Sequence, residues 1–321
     1  MASIDLLLAN LLSPVVLAFV LGVLAQLVKS DLEFPPPLYD ALSIYLLFAI
    51  GLKGGAELSV TPIAEFLGPA ALTLLLGVVT PITAYAVLRR LGRFDRTNAA
   101  AVAAHYGSVS AVTFIASTAF AERAGVAAEG FMPALVAILE VPAIVVALMI
   151  AHVRGSAAGS WKTALREIMA GRSIVLMLGG LVIGAVAGKS GMEPVAPFFV
   201  EGFKGALTLF LLEMGMAAAS RLRDLKQVGA FLVGFGIFVP ILHGALAVWG
   251  ADFIGMGIGG AAVLGAMVSS ASYIAAPAAV RIALPKASPT LYLTSSLGIT
   301  FPFNLTLGIP LYYAMATWLA R

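Results

Sequence analysis

The chain alternates between long apolar segments and short polar connections. Each apolar segment is close to the length of about 20 residues that a helix needs to cross the hydrocarbon core of a bilayer. The pattern therefore predicts an all-α polytopic membrane protein with ten transmembrane spans. The spans are predicted at Leu6–Val28, Leu38–Ala56, Pro62–Leu88, Asn98–Ala121, Gly130–His152, Ser173–Gly188, Pro197–Ser220, Val228–Trp249, Gly257–Leu284 and Leu291–Ala320.

Short polar stretches interrupt two of these spans. The fourth span contains His105–Ser110, and the ninth contains Val268–Tyr273, both rich in small residues and hydroxyls. Ser108 and Ser270 lie 162 positions apart, close to half of the 321-residue chain. Paired interruptions at corresponding places in two halves are typical of the midplane site of a secondary transporter. We therefore predict broken fourth and ninth helices that hold a transported solute between them.

The two halves also resemble each other at a nearly constant spacing. An odd number of spans in each half inverts the second half, so the sequence predicts a 5+5 inverted repeat. Residues 1–152 form the first repeat, with spans 1–5, and residues 173–321 form the second, with spans 6–10. Residues 153–172 form a cytoplasmic amphipathic linker in which Trp161 and Leu165 oppose charged residues. The matched positions are Ser13 and Ser173, Lys29-Ser30 and Lys189-Ser190, Gly51 and Gly215, and Leu139–Pro142 and Ile299–Pro302.

Composition excludes several classes of protein. The chain is 61% hydrophobic and 11% charged, with a mean hydropathy of +1.03, whereas soluble domains carry roughly 25% charged residues. Without cysteine, disulfides and thiolate metal sites are excluded. The sequence has no Walker motif, nucleophile elbow or clustered set of metal ligands. We therefore expect neither an enzyme nor an ATP-driven pump, with no organic cofactor and no nucleic-acid partner.

The basic residues predict the orientation in the membrane, because basic loops remain cytoplasmic. Most of the 19 basic residues fall on alternate connections, which places both termini outside the cytoplasm. Met1–Asn10 lacks a basic stretch, so we expect a retained first span rather than a cleaved signal peptide. The basic connections carry Lys29, Arg89, Arg90, Arg93, Arg96, Arg154, Lys162, Arg166, Arg172, Arg221, Arg223, Lys226, Arg281 and Lys286.

The two breaks suggest how an anion is held. Non-helical backbone is tolerated at membrane depth only where protein or a water-filled cavity covers it. The half-helix after each break directs backbone N–H groups and its positive dipole end toward the gap, which favours an anion. The alternative is that small residues merely let helices pack closely. The predicted substrate-binding residues are Gly107, Ser108, Val109, Ser110, Ser270, Ser272, Tyr273 and Ile274.

One carboxylate suggests ion coupling. Glu140 lies mid-span beside Pro142, and an ionisable group at this depth is costly and indicates function. It could hold Na⁺ or carry a proton, or it could be a structural carboxylate satisfied by its neighbours. The predicted Na⁺ ligands are Glu140, Ser108, Thr113, Ser269 and Asn304. For the intramembrane Glu213 we favour a pair with Lys53 or Lys204, and for His105 a packing role.

With these features, the chain resembles the SbtA-type sodium-dependent bicarbonate transporter family over nearly its whole length. The resemblance implies an inner-membrane homotrimer surrounded by lipid. It also implies a gate of spans 1, 2, 6 and 7, and a core of spans 3–5 and 8–10 that carries bicarbonate with Na⁺ in an elevator motion. A cytoplasmic PII-like protein regulates cyanobacterial members. The resemblance rests on Gly51–Gly55, Gly107–Ser110, Glu140–Ala143, Met214–Met216, Ser269–Arg281 and Ile309–Leu311.

The chain also departs from the cyanobacterial pattern. Tyr273 stands where that pattern has Asp, Ala275 stands in place of a Ser, and Glu140 replaces an Asp. These changes favour a non-cyanobacterial branch and leave two alternatives to Na⁺–bicarbonate symport. One is a proton-coupled or uncoupled carrier of another small anion, such as an organic carboxylate. The other is a membrane sensor that binds the anion without moving it.

Overall fold

The computed structural model describes residues 8–153, 163, 166 and 169–321, and this part of the chain is helical, with no β-strand. The proposed amphipathic face of the linker, with Trp161 and Leu165, lies outside the described residues, as does the start of the first predicted span. The helices are α1 (Pro14–Leu27), α2 (Pro36–Leu58), α3 (Ile63–Arg90), α4 (Arg96–Gly107), α5 (Ala111–Arg123), α6 (Met132–Glu140), α7 (Pro142–Val153), α8 (Arg172–Met192), α9 (Phe203–Leu222), α10 (Leu225–Phe253), α11 (Ile258–Ser269), α12 (Ala275–Ala283), α13 (Pro289–Leu293) and α14 (Ile309–Leu319).

The lengths and hydropathy of these helices confirm an all-α polytopic membrane protein. Within the described residues, seven helical segments are long and apolar enough to cross a membrane, and α1 and α11 are shorter apolar helices. The ten-span count stays a prediction. The seven segments are Pro36–Leu58, Ile63–Arg90, Arg96–Arg123, Met132–His152, Arg172–Val195, Pro197–Leu222 and Leu225–Phe253.

Both predicted breaks are present. Helix α4 ends at Gly107, and Ser108 and Ser110 have extended backbone before α5 begins. Helix α11 ends at Ser269, Ser270 is extended, and α12 begins at Ala275. Serine favours such places because its hydroxyl competes for backbone hydrogen bonds.

Two other predicted spans are interrupted where we expected continuous helices, and a third changes its helical geometry. The fifth divides into α6 and α7 at Val141, directly before Pro142. The first has a turn at Leu12–Ser13, directly before Pro14. The tenth contains π-helical turns at Thr294–Thr300 and Asn304–Gly308. Proline explains the first two interruptions, because it has no N–H for the helical ladder and clashes with the preceding turn.

Glycine contacts join the two halves of the chain through two helix pairs. Helix α2 packs against α8, where a Cβ atom on Gly184 would lie 2.1 Å from the carbonyl oxygen of Leu52. Helix α1 packs against α9, where a Cβ on Gly22 would lie 1.9 Å from the oxygen of Leu212. Small residues at such contacts let the helix backbones approach closely, which supplies the packing energy that membrane helices need.

Replacing Gly184 with alanine is expected to separate α2 from α8 and to destabilise the protein. Overpacking typically costs about 1–3 kcal/mol, and the upper end applies here because the obstruction is backbone. Gly179→Ala is the matched control on the same helix, since a Cβ there meets nothing within 4 Å. We expect a clearly lower midpoint of thermal unfolding in detergent for Gly184→Ala alone. Equal midpoints for the two variants would contradict the close packing.

The two helices that end at the breaks are buried on all sides. In α4 the residues from Ala99 to Gly107 are buried, and in α11 those from Gly259 to Ser269. Both consist largely of alanine, glycine and valine, and a helix that is apolar all round belongs in an interior. Helix α4 packs against α3 and α7, and α11 against α5, α10 and α14. This arrangement places both breaks deep within the protein.

Candidate functional site

The two breaks contact each other directly. The Ser110 backbone N–H donates to the Ser270 hydroxyl over 2.8 Å, and the Ser272 N–H donates to the His105 carbonyl oxygen over 2.8 Å. All four residues are buried. Buried backbone groups need hydrogen-bond partners, and each break supplies such a partner to the other. The two breaks therefore form one structural unit.

The first turn of each following half-helix faces this unit. The Ser110 hydroxyl accepts from the Thr113 N–H at 3.2 Å, which caps α5. The Ser272 hydroxyl accepts from the Ala276 N–H at 3.3 Å in the first turn of α12. Two helix N-termini therefore converge on the breaks, and their positive dipole ends favour a negative charge between them.

Tyr273 occupies much of the space between the half-helices. Its phenol oxygen lies 3.2 Å from the Ser110 hydroxyl. Its ring packs edge-on against Phe301, with centroids 5.3 Å apart. The aromatic ring therefore sets how much room the two N-termini enclose.

A small cavity remains beside Tyr273. It has a volume of about 10 Å³, which is room for about one water molecule. Its walls come from both breaks, from Glu140 at the end of α6, and from α2 and α8. A larger ligand enters only if Tyr273 or the neighbouring helices move. The lining residues are Leu47, Val109, Ser110, Ala111, Glu140, Ser173, Ser272, Tyr273 and Ile274.

Glu140 places a carboxylate at this cavity. The residue is 3% exposed, and its backbone oxygen accepts from the Ser108 hydroxyl at 3.2 Å. No metal-binding group of three or more His, Cys, Asp or Glu occurs in the described part of the chain. A cation held here would therefore bind one carboxylate and neutral oxygens. That donor set is compatible with a monovalent ion such as Na⁺, which needs less negative charge than a divalent ion.

The predicted ion ligands divide between separate places. Asn304 contacts Ser269, donating to its carbonyl oxygen at 3.2 Å and accepting from its hydroxyl at 3.3 Å. Ser108 instead contacts Glu140. Thr113, in the first turn of α5, has a buried hydroxyl with no hydrogen-bond partner among the described residues. These contacts do not join all five residues into one group, and the Na⁺ ligands stay a prediction.

The predicted substrate residues likewise differ in their positions. Val109, Ser110, Ser272, Tyr273 and Ile274 line the cavity. The other three are not among its lining residues. The Ser108 hydroxyl donates to the Glu140 backbone oxygen, the Ser270 hydroxyl accepts from the Ser110 N–H, and a Cβ on Gly107 would lie 2.6 Å from Ala143 and 2.7 Å from Pro81.

Sequence reasoning missed several contributors to the site. Leu47 and Ser173 reach the cavity from α2 and α8, and no sequence pattern reveals such distant neighbours. Phe301 had a signal, because it matches Val141 beside Glu140 in the internal repeat. Thr300 matches Glu140 itself and bonds the Gly236 carbonyl oxygen and the Tyr106 hydroxyl, both at 2.7 Å.

Two expectations about polar side chains have clear outcomes. His105 is a packing residue here: it stacks on Tyr292 with centroids 4.5 Å apart, and its Nδ1 lies 2.7 Å from the Ala101 oxygen.

The expected pairing of Glu213 with Lys53 or Lys204 is wrong. Both lysines pair with a carboxylate of α5 instead, that of Glu122, because they reach the end of that helix from α2 and α9.

A sequence model described as the Na⁺-dependent bicarbonate transporter superfamily matches residues 14–317. The chain belongs to this superfamily. The match includes both breaks, Glu140 and every helix from α1 to α13, with most of α14. No individual curated protein matches the chain. Superfamily membership confirms the resemblance to the family. It identifies a multi-pass membrane transporter with Na⁺ as the associated ion, since the members of the superfamily are transporters.

Proposed function

We propose that the protein is a Na⁺-coupled bicarbonate symporter that holds the anion between the N-termini of α5 and α12. The observation that carries this proposal is the cavity where these two N-termini meet Glu140. Helix N-termini bind anions without a full positive charge. A bicarbonate ion has donor and acceptor oxygens that match the hydroxyls of Ser110, Ser272 and Tyr273.

The position of Glu140 gives a physical reason for coupling. An anion beside a buried carboxylate is repelled strongly, because low dielectric increases the interaction between charges. A Na⁺ ion bound to Glu140 removes that repulsion. The anion is therefore bound well only after the cation, and each binding event increases the affinity for the other.

The proposal includes the predicted division into two bodies. The gate consists of α1, α2, α8 and α9, whose glycine contacts suit a rigid scaffold. The core consists of α3–α7 and α10–α14 and carries both breaks. Two observations support the inverted repeat. The repeat relates α1 to α8 and α2 to α9, so the contact of α2 with α8 and the contact of α1 with α9 are equivalent. The Ser110–Ser270 and Thr83–His243 hydrogen bonds each join residues 160 positions apart.

We propose further that the core moves against the gate as an elevator, in a homotrimer of the inner membrane with both termini outside the cytoplasm. A PII-like cytoplasmic regulator belongs to the same proposal and rests on the resemblance to the family. The trimer and the elevator rest on the resemblance to the family, and the position of the termini rests on the distribution of basic residues. Crosslinking tests the trimer and the motion, and a pull-down tests the regulator.

The experiment that tests the function is uptake of labelled bicarbonate into proteoliposomes, with and without an inward Na⁺ gradient. We expect uptake that depends on Na⁺. Uptake without Na⁺ dependence would favour a proton-coupled or uncoupled carrier. No uptake from folded protein would overturn the bicarbonate proposal, and the small volume left by Tyr273 would then direct the search to other small carboxylates.

A further inference from the structure

A second and much larger cavity lies between the proposed gate and core. Its volume is about 420 Å³, large enough for a small anion with some of its water. Its walls come from α2, α5, α6 and α9 and from the π-helical turn Pro197–Glu201. We call this cavity the vestibule. It lies at the C-terminal end of α5, so the helix that begins at the break ends at the vestibule.

Two lysines in the vestibule share a single carboxylate. Lys53 of α2 lies 3.8 Å from one oxygen of Glu122, and Lys204 of α9 lies 3.1 Å from the other. All three residues line the vestibule. The group therefore carries one positive charge that Glu122 does not balance.

Two further carboxylates, those of Glu57 and Glu129, also line the vestibule. Glu57 pairs with Lys189 at 3.1 Å. Glu129 accepts from the Gly257 N–H with its Oε1 at 2.8 Å, at the N-terminus of α11, where the helix dipole stabilises a negative charge. Its Oε2 is buried with no hydrogen-bond partner among the described residues. Lys53 and Lys204 are the positively charged side chains that line the vestibule, so an anion is attracted to them rather than to the side of Glu129.

We propose that Lys53 and Lys204 form a capture site for small carboxylate-like anions, in which the incoming anion replaces Glu122 between the two ammonium groups. This inference rests on the proposed function and adds the place where bicarbonate is collected before it reaches the breaks. The Glu122 carboxylate has the same planar pair of oxygens as bicarbonate, so it acts as an internal competitor.

The exposure of these groups suits capture and release. The side chains of Lys53 and Lys204 are 51% and 65% exposed, and that of Glu122 is 35% exposed. Solvent and salt weaken such pairs, so an anion exchanges with Glu122 rapidly. Apolar walls from Phe114, Ile115 and Phe199 exclude part of the water and strengthen the field of the lysines inside the vestibule.

The absence of cysteine from the sequence allows the charge of the vestibule to be measured directly. A single Ala119→Cys substitution places a thiol on its wall. The rates of modification by an anionic sulfonatoethyl and a cationic trimethylammonioethyl methanethiosulfonate are compared, and their ratio reports the local potential. In this background, Lys53→Met with Lys204→Met is expected to lower the anion-to-cation ratio about fivefold, and Glu122→Gln to raise it by several-fold.

Lys226→Met is the matched control, because Lys226 lies at the start of α10 and does not line the vestibule. It should leave the ratio unchanged. An unchanged ratio in the double lysine variant, or the same decrease in the control, would overturn the capture site. The opposite shifts expected for the lysine and glutamate variants exclude simple misfolding as the cause.

Transport measurements provide a second test of the capture site. In proteoliposomes at low ionic strength, the double lysine variant is expected to raise the KM for bicarbonate several-fold while uptake keeps its Na⁺ dependence. An unchanged KM would contradict the capture site although transport is intact. If the wild-type protein transports no bicarbonate, the proposed function fails, and the thiol ratio still decides whether the vestibule attracts anions.

Discussion

Replacing Glu140 with glutamine is expected to weaken Na⁺ binding during bicarbonate uptake at least tenfold in a protein that still folds. The carboxylate is buried at the cavity, and its removal takes away the one acidic ligand available to the cation there. Glutamine keeps the volume and a neutral oxygen. We expect the Na⁺ concentration for half-maximal uptake to rise at least tenfold, which corresponds to about 1.4 kcal/mol of binding free energy. Flux measured across a Na⁺ titration provides the test.

Glu213→Gln is the control for this prediction. Glu213 is a partly buried carboxylate on α9, within the proposed gate, and it does not line the cavity. It should leave the Na⁺ titration unchanged. Equal shifts in both variants would show a general effect of lost charge, and an unchanged titration for Glu140→Gln would remove Glu140 from the ion site.

Replacing Tyr273 with alanine is expected to enlarge the cavity and to admit larger carboxylates. The ring fills the space between the two breaks and packs on Phe301, so its loss leaves room that the surrounding helices cannot fully close. Substitution of a fully buried aromatic residue by alanine costs about 3–5 kcal/mol of stability, and because Tyr273 is partly buried its loss costs less than that. We expect a lower unfolding midpoint, together with inhibition of bicarbonate uptake by acetate at concentrations that do not affect the wild type.

Tyr273→Phe separates volume from hydrogen bonding. It keeps the ring and removes the hydroxyl that contacts Ser110, at a cost of about 1 kcal/mol. We expect it to exclude acetate as the wild type does, with weaker bicarbonate binding. If the phenylalanine variant admits acetate as readily as the alanine variant, the ring does not set the size of the site.

The sequence predicted the features that depend on local chemistry. Glycine and serine are clustered at Gly107–Ser110 and Ser269–Ser272. Both residues are unfavourable inside a helix, glycine because of its conformational freedom and serine because its hydroxyl competes for backbone hydrogen bonds, so the clusters predicted the breaks. The internal spacing then predicted that the breaks belong together, and the hydrogen bond from Ser110 to Ser270 confirms that they meet.

Features that depend on three-dimensional packing were not predicted. The division at Val141 follows from Pro142, yet a proline in a membrane helix often bends it without ending it. The pairing of Lys53 and Lys204 with Glu122 depends on where α2 and α9 end relative to α5. The contact of Asn304 with Ser269 depends on how the last span packs against α11. None of these arrangements has a signature in the residue pattern.

The reciprocal hydrogen bonds between the breaks limit the motions open to the protein. Pulling the breaks apart would leave the N–H groups of Ser110 and Ser272 without partners inside a membrane, at a cost of about 1–3 kcal/mol each. The two breaks, with a solute between them, are therefore more easily moved together than separated. In the proposed elevator motion, a solute carried in this way would be surrounded by the same groups on both sides of the membrane.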